Sequence, residues 1–157
     1  MQIKRIGIED QSVVTALFND YRVFYKYPPD LPLAERFIRE RLEHNESVIF
    51  AAIADDGTPA GFTQLYPLIS SGRAIKNWVL NDLYVAPDYR KQGIGETLIK
   101  AATEFAMANG AAFLQLETAV DNSGALAFYK RHQYSVVKTI PRYYTNGVDA
   151  FVLEKDL

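Results

Sequence analysis

Apolar and polar positions alternate over Gln2-Ile3-Lys4-Arg5-Ile6, which predicts a first strand. From Glu9 to Lys26 the apolar residues Val13, Val14, Leu17, Phe18, Tyr21 and Phe24 fall at helical spacing, and Tyr27-Pro28-Pro29 ends the pattern. A second helix is expected over Leu33 to His44, with Phe37, Ile38, Arg41 and Leu42 in register. Ser47 to Ala54 is nearly all apolar and reads as a strand covered on both faces. Asp55-Asp56-Gly57 predicts a hairpin turn into a strand at Thr58 to Leu68, and Ser70-Ser71-Gly72 opens another turn. Trp78 to Val85 is rich in β-branched and aromatic residues and stops at Pro87. Apolar spacing at Ile94, Leu98, Ala101, Ala102 and Phe105 predicts a helix running to Asn109-Gly110, with Glu96 and Lys100 at i,i+4. Ala112 to Ala119 is a strand, expected to lie parallel to the Trp78–Val85 strand across that helix. Asp121 or Asn122 caps a helix reaching Arg131 or His132. Tyr134 to Thr139 and Val148 to Leu153 are closing strands, joined by a two-residue Asn146-Gly147 turn. The order is β-α-α-β-β-β-α-β-α-β-β, an α/β chain with a mixed sheet and helices on both faces.

Composition narrows the classes. The 157 residues suit one domain, residues 1–157, with a sizeable core. The charge is 17 − 19 = −2 with no block of one sign, so neither nucleic acid nor a membrane surface is an expected partner. There is no cysteine, hence no disulfide, thiolate metal site or cysteine nucleophile. His44 and His132 are isolated, and no metal is expected. No leader pattern opens this sequence and no apolar run would span a bilayer, so a cytoplasmic location is the default expectation.

The most informative stretch lies between the Trp78 strand and the helix after it. Arg90-Lys91-Gln92-Gly93-Ile94-Gly95 places two glycines at a helix mouth, where free N–H groups and the positive end of the helix dipole favour a phosphate. A nucleotide P-loop would need Lys-Ser/Thr after the glycine, and Glu96-Thr97 stands there. A dinucleotide fingerprint would need a small residue at Leu98.

Asp82-Leu83-Tyr84-Val85, Pro87, Tyr89-Arg90 and Arg-x-x-Gly-x-Gly together resemble the acetyl-CoA loop of the GNAT acyltransferase superfamily. A second run, Asn122-Ser-Gly-Ala-Leu-Ala-Phe-Tyr-Lys-Arg-His-Gln-Tyr134, resembles another motif of that family, with Gln133 in place of its usual glycine. The resemblance covers the element order from end to end and implies the GNAT acyl-CoA N-acyltransferase fold. It implies acetyl-CoA as cofactor, with Arg90, Gly93 and Gly95 and the backbone of Lys91, Gln92, Ile94 and Glu96 around its diphosphate. It implies that the strand splays, that the main chain of Leu83 and Val85 pairs with the pantetheine arm, and that the N–H of Val85 faces the acyl oxygen. Asn122 would bond the arm, and Tyr129 would protonate the departing thiolate.

The proton acceptor stays open. Period-2 alternation puts Asn81, Leu83 and Val85 on one face and Asp82 and Tyr84 on the other. Diamine acetyltransferases carry a glutamate where Asn81 stands, so Asp82, Glu117 or an ordered water must serve. Tyr25, Trp78, Asn81 and Glu117 are candidate substrate contacts, and the aromatic cluster Asp20 to Tyr25, with Tyr66, Tyr143 and Tyr144, suits a cationic amine. The expected activity is acetylation of a primary amine on a small molecule, polyamine-like or amino-acid-like, by direct attack in a ternary complex. The nearest likeness within the superfamily is to polyamine and fungal histone/polyamine-type enzymes. The alternatives are a CoA-binding sensor without turnover and an acetyltransferase of protein lysines or N-termini. By family habit a homodimer is expected.

Overall fold

A computed structural model covers residues 1–157. It contains β1 (Gln2–Arg5), α1 (Gln11–Phe24), α2 (Leu31–Glu43), β2 (Val48–Ile53), β3 (Pro59–Ser70), β4 (Ile75–Val85), α3 (Ile94–Ala108), β5 (Phe113–Ala119), α4 (Ser123–Arg131), β6 (Ser135–Ile140) and β7 (Ala150–Asp156). This is the predicted order. Local chemistry sets several ends. Asp30 caps α2, accepting from the Leu33 amide at 3.1 Å, and Pro32 stands in the first turn, where no donor is needed. Gly93 precedes α3 with φ of 77°, a conformation glycine adopts without Cβ strain.

The strands form one sheet in the order β1-β2-β3-β4-β5-β7-β6. Only β4 and β5 run parallel, joined by the crossover through α3. On one face α1 and α2 bury Val14, Leu17, Phe18, Ala34 and Ile38 against Ile49, Ala51, Phe62 and Tyr84. On the other, Ile99, Ala102 and Ala106 of α3 pack on Val48, Leu65, Trp78, Leu80 and Leu114. β2 feeds both clusters, as its unbroken apolar run predicts.

Two irregularities shape the middle of the sheet. Gln64 pairs with Asp82, but the next residue of β3, Leu65, pairs with Leu80, so Asn81 is an extra residue in β4. This β-bulge reverses the side-chain parity along the strand. Trp78 and Leu80 lie in the α3 cluster before it, and Tyr84 lies in the α1/α2 cluster after it. Secondly, β4 and β5 pair only at Trp78–Leu114 and Val79–Gln115. Past Val79 the strands part and leave a gap in the sheet.

Two local expectations are corrected. Asn146-Gly147 does not form a two-residue hairpin, because residues 141–149 make a longer loop between Ile140 and Ala150, with Gly147 at φ of 82° inside it. Lys100 lies nearer Glu104, at 3.9 Å, while Glu96 approaches His132 at 3.8 Å.

Candidate active site

The gap between β4 and β5 opens into a cleft of about 1010 Å³ that reaches from α1 and the start of α2 to α4. Asn81, Asp82 and Leu83 line one side, and Glu117, Thr118 and Ala119 the other. Tyr129 of α4 and Asn122 at its cap line the cleft together with Tyr21 of α1 and Tyr25 just past its end, and Tyr143 and Tyr144 come from the 141–149 loop.

The open edge of β4 follows from its hydrogen bonding. The Asp82 carbonyl accepts from Thr63 Oγ1 at 2.8 Å, and the Ala86 amide donates to the Ala60 carbonyl at 2.9 Å. Residues 82, 84 and 86 therefore face β3, and alternation turns the main chain of Leu83 and Val85 toward the gap. Their side chains pack inward beside α3.

At the α3 mouth the first main-chain bond inside the turn is from the Thr97 amide to the Gly93 carbonyl, at 3.1 Å. The amides of Lys91, Gln92, Gly93, Ile94, Gly95 and Glu96 donate to no protein carbonyl. Lys91 and Gly93 have φ of 60° and 77°, which curls the loop. Ile94 anchors it in the core, and Gly95 sits close under Phe128 of α4, where a Cβ would lie 3.4 Å from Cζ. A row of free donors at a helix N-terminus fits a diphosphate, and the β4 edge unpaired with β5 past Val79 fits the amides of a pantetheine arm. The residues present thus fit acetyl-CoA. The Arg90 guanidinium folds back, donating from Nε to the Val85 carbonyl at 3.0 Å and lying 5.5 Å from the Phe24 ring.

Asp82 is 3% exposed, beneath α1. Gln64 Nε2 donates to its Oδ2 at 2.5 Å and Asn81 Nδ2 to its Oδ1 at 3.0 Å. Burial pushes its carboxyl above the ordinary range, while hydrogen bonds from Gln64, Tyr21 and Asn81 pull it back. Tyr21 and Tyr66 are raised by burial first and by the Asp82 charge second, and Tyr25 likewise. These phenols stay protonated and form an aromatic wall, with Tyr21 and Tyr25 rings 4.9 Å apart. Tyr129 packs edge-on to Tyr134 at 5.8 Å, and burial raises its hydroxyl, which stays a proton donor at neutral pH. Asn122 uses Oδ1 to cap α4, accepting from Ala125 N at 3.1 Å, and its NH₂ is left as a donor in the cleft that the residue lines. Glu117 accepts from the Tyr143 hydroxyl at 2.7 Å.

The structure thus brings together Tyr25, Asn81, Asp82, Leu83, Glu117, Asn122 and Tyr129. Trp78 does not join them. Strict alternation would put it on the face of Asp82, but the bulge at Asn81 turns its indole into the α3 core, 5% exposed and 4.9 Å from Phe105. Gln64 and Ser47 were missed by motif reading. Their signal is polarity in buried strand sequence, since Thr63-Gln64 interrupts an apolar run.

The model of the acetyltransferase (GNAT) family matches residues 14–134. The uncharacterized N-acetyltransferase YhfO of Bacillus subtilis is 42% identical over 134 residues, covering 85% of this chain and 89% of that one. A putative ribosomal protein bS18-alanine N-acetyltransferase of the same organism is 30% identical over 120 residues, covering 76% and 75%. The crystal structure of a probable acetyltransferase superposes with a TM-score of 0.83 at 33% identity, covering 88% and 92%.

Proposed function

Because the chain belongs to the acetyltransferase (GNAT) family, we propose that it moves an acetyl group from acetyl-CoA to a primary amine of a small molecule, polyamine-like or amino-acid-like, held over Asp82. The observation that carries this reading is a buried carboxylate walled by phenols, in the same cleft as the open β4 edge.

Acetyl-CoA, when bound, supplies a thioester-activated acetyl group. The free amides from Lys91 to Glu96 hold the diphosphate, with the helix dipole adding to the attraction. The main chain of Leu83 and Val85 and the Asn122 amide would orient the arm, and the Val85 N–H would be available to the acyl oxygen. Asp82 anchors the amine as an ammonium ion among Tyr21, Tyr25 and Tyr66, then accepts the proton it loses. Amide formation releases a second proton from the nitrogen, and Tyr129 would pass its hydroxyl proton to the leaving sulfur while that second proton restores its hydroxyl.

A second reading is acetylation of a peptide N-terminus. It is favoured by the exposed aromatic and aliphatic rim of Phe24, Tyr25, Tyr27, Leu31 and Tyr143, which would seat the first residues of a chain. The test is thiol release from acetyl-CoA over a panel of polyamines, amino acids, N-terminal peptides and lysine peptides. Turnover on small amines supports the first reading. Turnover on peptides alone moves the assignment to the second. Tight CoA binding with no turnover on any amine leaves a cofactor sensor. The homodimer belongs to the same proposal, and light scattering checks it.

A further inference from the structure

Gln64 has no accessible surface, and it stands mid-strand in β3. A buried primary amide is costly unless both its ends are bonded. Here both are. Ser47 Oγ donates to Gln64 Oε1 at 2.8 Å, and Gln64 Nε2 donates to Asp82 Oδ2 at 2.5 Å. Ser47 is itself buried at 8% exposure. The carboxylate requires a donor, so the amide must turn its NH₂ toward Asp82 and its oxygen toward the serine. Asn81, the bulge residue, supplies the donor to the other carboxylate oxygen at 3.0 Å.

We propose that Gln64, oriented by Ser47, is a positioning residue that fixes the Asp82 carboxyl, without a cationic partner, at the amine end of the cleft. This rests on the reading of Asp82 as the anchor of the amine. The groups that face Asp82 are Tyr21 and Tyr25 from α1, Tyr66 from β3, Gln64 and Asn81. Arg41 of α2 and Glu46 act on Tyr66. Asp82 has no cationic partner among its hydrogen bonds. A salt-bridged arginine would stabilise the carboxylate and also cancel its charge. Two amides stabilise it while leaving a full negative charge for an arriving ammonium ion. Protonating Asp82 would forfeit at least one of these bonds, because the carboxyl hydrogen then competes with an amide hydrogen for the same side of the group.

The test needs no knowledge of the acceptor. Carboxyl ¹³C chemical shifts are followed against pH in the full-length protein, with the Asp82 resonance identified by its loss in Asp82→Asn. In Gln64→Met, which keeps the volume and removes the donor, the Asp82 midpoint is expected to rise by about one to two pH units. In Ser47→Ala it should move the same way by less. An unmoved midpoint in a folded Gln64→Met overturns the inference. If that variant does not fold, Ser47→Ala carries the test alone, and an unmoved midpoint there overturns it. Activity separates this from the underlying reading, using the panel amine that the wild type turns over fastest. If Asp82→Asn keeps wild-type kcat/KM for that amine, Asp82 is not its anchor, whatever Gln64 does. If Asp82→Asn loses activity but Gln64→Met leaves both the midpoint and the acid limb of kcat/KM in place, only the role of Gln64 falls.

Discussion

Tyr143 donates its hydroxyl hydrogen to Glu117 across 2.7 Å, tying the 141–149 loop to β5 at the side of the cleft. The Glu117 contact is also the first cause of the rise in the Tyr143 hydroxyl, pushed up to about 12. The bond is partly exposed, so its worth is modest. In Tyr143→Phe we expect a rise in amine KM of about two- to tenfold, corresponding to roughly 0.5–1.5 kcal/mol, with acetyl-CoA affinity unchanged. Steady-state kinetics beside a calorimetric titration of acetyl-CoA checks this. Equal weakening of both ligands would show that the loop acts on the whole fold.

Gly95 separates steric from electrostatic effects at the α3 mouth. Gly95→Ala brings a Cβ to 3.4 Å from Phe128 Cζ, a tight contact that a small ring shift relieves. Gly95→Asp adds a negative charge among the free amides, where the diphosphate would lie. We expect acetyl-CoA affinity to fall by about tenfold or more in the aspartate variant, and by little in the alanine variant. Equal losses, measured by calorimetry, would make packing rather than charge the cause.

The backbone-determined parts of this molecule were legible in the sequence, and the side-chain network was not. The Arg90–Gly95 loop is set by local chemistry: two glycines, a proline before them and an apolar helix after. The main-chain roles expected for Leu83 and Val85 came with the family resemblance of the strand rather than from its alternation. Trp78 was misplaced because one extra residue, Asn81, reverses the parity of a strand, and no residue type announces a bulge. Asn146-Gly147 resembles a tight hairpin, whereas it sits inside a longer loop that also carries Tyr143 and Tyr144. Gln64 carried no motif at all, since its role depends on Ser47 and Asp82, 17 and 18 positions away.

Tyrosine content should govern behaviour at high pH. Burial is the largest cause of the rise at Tyr21, Tyr25, Tyr66, Tyr84, Tyr129, Tyr134 and Tyr144. A hydroxyl whose folded pKa is raised contributes stability that is complete below the unfolded value, about 10, and is lost as pH rises through the folded value. We expect Tm to fall steeply above about pH 10. Ultraviolet phenolate absorbance should appear together with unfolding rather than before it. Phenolate formation in a still-folded protein would contradict the burial argument.

Burial raises the Tyr129 hydroxyl, so it keeps its proton at neutral pH and can assist the departing sulfur only as charge develops there. Tyr129→Phe removes the proton and little of the packing against Phe128 and Tyr134. Turnover is expected to drop by about 10²-fold, the usual scale for a general acid, with acetyl-CoA affinity near wild type. An unchanged rate across the pH range would remove its acid role.

Asp82 should trade stability against activity. Its folded carboxyl is raised above the unfolded value, mainly by burial. Such a group favours the folded state fully below the unfolded pKa, and that advantage is lost as pH rises through the folded pKa. Ionising the side chain in the folded protein therefore carries a net cost that its hydrogen bonds only partly offset. Asp82→Asn replaces it with a neutral group whose oxygen can still accept from Gln64 Nε2. We expect a higher Tm than wild type at pH 7, and a difference that vanishes as pH falls below the ordinary aspartate range, about 3.9. Acetyl-CoA affinity should persist, because the free amides of 91–96 and the β4 edge are untouched. Turnover on amines should fall sharply, since the asparagine neither attracts an ammonium ion nor accepts its proton. A variant that is less stable at pH 7 and fully active would remove Asp82 from the site and return the amine's proton to Glu117 or to water.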